Sequence, residues 1–166
     1  GGPAAVSPVP PAPQPVPSAA QSPAAAAAAD ALQSEVTAAF TRFIAGQNAH
    51  DRSAVAAVLL DSPEFVWVQP EGTAVAGSTE ALAAFAREWQ GTWKLDPQAQ
   101  ELRIATPAPG VAVLIAPLLL TAGDPGRYPA TLPVRWEGVF VRSAAGWRIA
   151  AIFTTPLPSR RGPGGG

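Results

Sequence analysis

Acid–base chemistry needs a titratable group in a partly dry pocket, where burial tunes its pKa. The chain has one histidine, His50, followed directly by Asp51. His50 closes one helical pattern and Asp51 opens the next. A histidine there meets the helix dipole favourably, and Asp is a good N-cap, so both residues have sufficient structural roles. A metal at this pair would lack a recognisable third and fourth ligand. The chain has no cysteine, which removes disulfides and thiolate metal sites. Glu64 flanks a strand, Glu71 belongs to a turn, and Glu88 with Arg87 falls on the solvated face of a helix. Glu137 alternates onto an outer strand face together with Arg135, where an ion pair or a dimer contact suits it. No Ser-His-Asp set, phosphate loop or Gly-rich nucleotide motif occurs. The residues therefore nominate no catalytic group, no metal ligand and no cofactor.

What stands out instead is the tryptophan. Trp67, Trp89, Trp93, Trp136 and Phe153 could line an apolar cavity, with Thr155 or Gln69 offering a hydrogen bond. The same rings could equally be core and nothing more. The stretch RWEGVFVRSAAGWRIAAIF, residues 135–153, sharpens the choice. A turn at Ala144-Ala145 sets Ser143 opposite Gly146. Strict alternation then pairs Arg142 with Trp147, Phe140 with Ile149, Gly138 with Ala151 and Trp136 with Phe153, all on one aromatic face. Gly138 and Ala151 leave a gap between large pairs. That gap can receive a helix side chain, mark a bend, or form the floor of a ligand pocket. The candidate ligand-binding set is Trp67, Trp89, Trp136, Gly138, Ala151, Phe153 and Thr155.

The elements that would position these residues follow from pattern. Leu32, Val36, Phe40 and Phe43/Ile44 make the apolar stripe of a first helix. It starts either at Ser22-Pro23, an N-cap followed by Pro at the first helical position, or at Asp30. Asp51 caps a short second helix carrying Val55, Val58 and Leu59. Residues 65–69 and 73–76 read as a hairpin around Pro70-Glu71-Gly72. Ser78 caps a third helix with Glu80 in its first turn and Leu82, Phe85 and Trp89 inside. Strands follow at 100–106, 111–121, 134–142 and 147–155. Helices early and antiparallel strands late indicate an α+β domain, a curved antiparallel sheet with about three helices on its concave side. The strand around VAVLIAPLLL is apolar on both faces. Its second cover would be another copy of the chain, which predicts a homodimer through the outer sheet face. Pro117 within it should sit at a bulge or an edge.

The chain has 166 residues and a net charge of −1. Residues 1–29 carry eight prolines and six consecutive alanines, the composition of a disordered spacer. Residues 158–166 read as a disordered Gly-rich tail. About 130 residues remain for one domain, 30–157, enough for a core without staples. The only adjacent basic pair, Arg160-Arg161, lies in that tail, so no basic face recommends nucleic acid as a partner. No apolar run is long enough to span a bilayer. The absence of methionine, with the Pro/Ala arm, fits an exported bacterial protein, periplasmic or secreted; a cytoplasmic protein is the alternative. One lysine against ten arginines fits a GC-rich genome.

Three stretches, NAHDRSAVAAVLLDSPEFVWV, GTAVAGSTEALAAFAREW and WEGVFVRSAAGWRIA, together with the element order, resemble the nuclear transport factor 2-like superfamily, in particular its SnoaL-like and ketosteroid-isomerase-like members. The resemblance implies a cone-shaped α+β barrel with a pocket between helices and concave sheet, often dimeric. It also implies, for the enzymes of the superfamily, acidic residues or histidine inside the cone. Many related sequences carry histidine on the last strand, where this chain has Ala151 and Phe153. Two functions follow as expectations: a non-catalytic small-molecule-binding or protein-association module with an apolar cone, or a small isomerase, cyclase or hydratase. They differ over whether a carboxylate or histidine is buried in the cone.

Overall fold

The computed structural model describes residues 1–13 and 22–158. The Gly-rich tail beyond Pro158 and spacer residues 14–21 lie outside the described residues. Helix α1 (Pro23–Asn48) begins at the earlier of the two starts: Ser22 is extended and its Oγ accepts from the Ala25 amide at 3.0 Å. Pro23–Ala29 are thus helical rather than spacer. Val36, Ala39, Phe40, Phe43 and Gln47 form the buried stripe of α1. The helix stops in a Schellman arrangement. The His50 amide bonds the Gln47 carbonyl, the Asp51 amide bonds the Gly46 carbonyl, and His50 has φ 54°, the left-handed turn that such a stop requires. Asp51 then caps α2 (Arg52–Val58), its Oδ1 accepting from the Ala54 amide.

Strands β1 (Val66–Val68) and β2 (Ala74–Ala76) form the expected hairpin. Helix α3 (Ser78–Glu88) differs at its start. Gly77, at φ 90°, is the N-cap, and Ser78 is the first helical residue. The Ser78 hydroxyl is used elsewhere: it accepts from the Ser62 amide at 2.9 Å and ties the α2–β1 loop to the helix. Of the expected α3 stripe, Phe85 is buried and Leu82 and Trp89 are half-buried.

The sheet continues with β3 (Thr92–Pro97), β4 (Arg103–Ala108), β5 (Val111–Gly123), β6 (Ala130–Ser143) and β7 (Gly146–Pro156). Its order is β2-β1-β7-β6-β5-β3, with β4 also on β5; only β1 and β7 run parallel. Strand β3 was not read from the sequence. Trp93 and Leu95 are buried while Thr92, Lys94 and Asp96 are exposed, which is plain alternation. Its outer edge is covered from α1. The Asn48 carboxamide donates to the Leu95 carbonyl at 2.9 Å and accepts from the Leu95 amide at 2.8 Å, as a neighbouring strand would. His50 Nε2 donates to the Trp93 carbonyl at 3.0 Å. A free sheet edge is thereby blunted.

Pro117 sits in mid-strand, where β5 changes partner from β3, which pairs residues 118–123, to β4, which pairs 111–115. Its carbonyl accepts from Gln98 on that side, so the missing N–H falls in the gap between two partners and costs no ladder bond. The alternate residues Ala112, Leu114, Ala116 and Leu118 of β5 face the core. The helices pack against this face, giving the α+β cone. Among the described residues no helix is long and apolar enough to cross a membrane.

Candidate functional site

The final hairpin keeps the expected pairing only at its tip. Ser143 pairs with Gly146, Arg142 with Trp147 and Phe140 with Ile149. Between Phe140 and Val139 the register shifts, and the next pair is Val139 with Ala151. Ala150 is the extra residue of a β-bulge, and every later residue changes face. Gly138 pairs with Ile152, Trp136 with Thr154 and Arg135 with Thr155. Ile152 is therefore buried and Thr154 turns inward, while Ala151, Phe153 and Thr155 lie on the outer face; Phe153 is 37% exposed. The expected pairs of Gly138 with Ala151 and Trp136 with Phe153 do not form. Two adjacent small residues, Ala150 and Ala151, are where the chain can absorb the bulge.

The space above Gly138 is also not a pocket floor. A Cβ at 138 would collide with Cη2 and Cζ3 of Trp136 and come within 3.0 Å of the Phe140 ring. The Trp136 indole folds back over Gly138 along its own strand. Phe40 and Phe43 of α1 back that ring at centroid distances of 4.8 and 5.5 Å. Glycine is required here so that the largest side chain of the core has somewhere to lie.

The cavity of the cone lies beside this ring. Trp67, Trp93, Trp136 and Phe85 contribute aromatic wall, Leu118 and Ile152 aliphatic wall, and Gln47 and Thr154 the polar atoms; half-buried Pro70 also lines it. Its free volume is about 20 Å³, room for about one water molecule. None of the described residues lining it is titratable. Of the candidate set, the structure brings Trp67 and Trp136 to the cavity. Trp89 stands behind it, and Gly138 lies under Trp136. Thr154 holds the place expected of Thr155.

Gln47 is the residue the sequence reading passed over. It is fully buried. Its Oε1 accepts from Trp93 Nε1 at 2.8 Å and from Trp89 Nε1 at 3.1 Å. An indole N–H can only donate, so the amide oxygen must face the two rings and the NH₂ group must face away. Nε2 has no hydrogen-bond partner among the described residues. A buried, unmatched donor of this kind is costly, on the order of 1–3 kcal/mol. The signal was present: Phe40, Phe43 and Gln47 continue one helical stripe, so a Gln stands at a core position. Thr154 completes the polar pair. Its hydroxyl proton goes to the Val68 carbonyl at 2.6 Å, which leaves its oxygen as an acceptor only.

The titratable candidates lie elsewhere. His50 is exposed and its ring stacks on Trp89 at 5.9 Å. Glu137 pairs with Arg135 at 2.6 Å on the outer face. Glu88 is pushed above the ordinary glutamate range, first by its own partial burial, then by Asp124 and Glu71, against a lowering from Arg87. Among the described residues no group of three or more acidic or histidine side chains is placed to hold a metal.

Residues 36–153 match the family model of the SnoaL-like domain. No curated protein matches the chain. Solved structures share the fold at low identity. A nuclear transport factor 2-like superfamily protein from Salmonella enterica is 20% identical with a TM-score of 0.68, over 83% of this chain and 99% of that one. A proposed dehydratase of the same family from Streptomyces avermitilis is 17% identical with a TM-score of 0.65, over 78% and 99%. A protein with a cystatin-like fold from Caulobacter vibrioides is 16% identical with a TM-score of 0.67, over 77% and 91%. With more than half its length matched by the family model, this chain belongs to the SnoaL-like domain family.

Proposed function

We propose that this chain is a non-catalytic binding module whose cone takes a small apolar molecule. The observation that carries this reading is the cavity wall, aromatic and aliphatic throughout, with Gln47 and Thr154 as its polar groups and no acid or base. Apolar contact supplies affinity in such a site, and a few polar atoms fix orientation. As it stands the space holds about one water, so a larger ligand enters by moving side chains that line it, near Pro70 and Thr154. The competing isomerase, cyclase or hydratase needs a proton carrier at the reacting atoms, and the wall offers none. Titration with benzene and naphthalene, followed by indole fluorescence, tests the reading. Saturable quenching is the expected result; unchanged emission across the panel contradicts it.

The module is proposed to work as a homodimer through the outer sheet face. Val113, Ile115, Val139, Ala151 and Phe153 adjoin there across β5, β6 and β7, and Phe153 is the exposed ring among them. Sedimentation at micromolar concentration should show a dimer, and Val139→Glu should weaken it because an unpaired charge is costly to bury. A monomeric unmutated protein refutes this part.

A further inference from the structure

We infer that the cone selects neutral carbonyl compounds, held by hydrogen bonds donated from the Gln47 carboxamide. The inference deepens the binding reading above and rests on it. Trp89 and Trp93 both donate to Gln47 Oε1. Rotating the amide by half a turn would set N–H against N–H twice, so its orientation is fixed. The two N–H bonds of Nε2 are then left for something that accepts, and no described residue does so. Gln47 is fully buried and lines the cavity, so the cavity is the space beside it that an acceptor can occupy.

The chemistry of the wall narrows the acceptor. A carboxylate or phosphate would enter a space with no cation on its wall, and an unpaired buried charge is not tolerated. A pure hydrocarbon would leave Nε2 unmatched. A ketone, ester or amide carbonyl meets both conditions, since its oxygen has two lone pairs and no charge. The flat indole walls of Trp67, Trp93 and Trp136 favour a carbonyl on a ring or conjugated frame. Thr154 Oγ1, an acceptor only, can take a hydroxyl or N–H of the same ligand.

The test uses the unmutated protein labelled with nitrogen-15, observing the Gln47 side-chain amide by NMR. The probes are three: cyclohexanone, methylenecyclohexane of the same shape, and cyclohexanecarboxylate. Cyclohexanone should shift the Gln47 NH₂ resonances saturably and bind about tenfold or more tightly than the hydrocarbon, and the carboxylate should not bind. Equal binding of ketone and hydrocarbon overturns this inference and leaves the apolar cavity standing. Binding of neither overturns both readings, with a single water then matching Nε2. Gln47→Met gives a second measurement where it folds. A thioether is a weak acceptor for the indoles and donates nothing, so the preference for ketone over hydrocarbon should vanish; a retained preference contradicts the inference.

Discussion

At its tip the β6–β7 hairpin pairs Phe140 with Ile149 and Arg142 with Trp147; at its base it pairs Trp136 with Thr154. The tip is closed. Trp147 is buried, its Nε1 donates to Glu35 of α1 at 3.1 Å, and Arg142 reaches the same carboxylate at 3.7 Å. The base carries the cavity. The two halves share both strands and differ by one residue, Ala150. Unbroken alternation would put Phe153 and Thr155 inside and fill the cone with another ring. Opposite Trp136 the bulge sets Thr154 in place of Phe153, a smaller side chain that brings a hydroxyl. One inserted residue thus separates a packed wall from a wall with room and polarity.

Emptying the base is the most severe way to break this contrast. Trp136→Ala removes the ring that lies over Gly138 and walls the cavity. The expected loss is more than about 3 kcal/mol, the scale of removing a large core side chain, read from urea unfolding. Retention of the unmutated midpoint would show that the ring does not hold the base. Gly138→Ala is the next step down. The added methyl meets a Trp136 ring that Phe40 and Phe43 hold from behind, so overpacking should cost about 1–3 kcal/mol. A neutral result would mean that the ring has another place to lie.

The tip responds differently. Glu35→Ala removes the bond to Trp147 and should cost about 1 kcal/mol, while probe binding at the base stays unchanged. A change in binding would couple halves that the structure keeps apart. Glu88→Gln should have the smallest effect, below about 0.5 kcal/mol. Its sign is fixed by linkage. The folded-state pKa of Glu88 is raised, so the folded protein binds the proton more tightly and ionisation disfavours folding. The variant should therefore melt slightly higher at neutral pH. The gain should fade as pH falls through the folded-state pKa and be absent below the unfolded-state value. An increase confined to acid pH contradicts the assignment.

Much of this architecture is legible in the residues. The helix stripes, the Asp51 cap, the Ser22-Pro23 start and the Ala144-Ala145 turn are local patterns with local causes, and they lead to the α+β cone. The site is less legible because its determinants are not local. A bulge is invisible to alternation counting unless Ala150-Ala151 is weighed as a place where a strand can slip. Strand β3 is hidden by Lys94, Asp96 and Pro97, residue types that strands disfavour, and its edge partner is a side chain, Asn48. Gln47 reads as one polar residue near a helix end. Only its continuation of the Phe40–Phe43 stripe marks it as buried, and only the fold brings two indoles to its oxygen.

The central claim is that Thr154, not Thr155, faces the cone beside a ligand cavity. Naphthalene binding to Thr154→Phe and Thr155→Phe, each checked for native circular dichroism, tests it most directly. The account predicts that a ring at 154 fills the cavity and abolishes the saturable fluorescence change. A ring at 155 should lie on the outer face and leave that change intact. Loss of binding in Thr155→Phe with retention in Thr154→Phe would contradict the account.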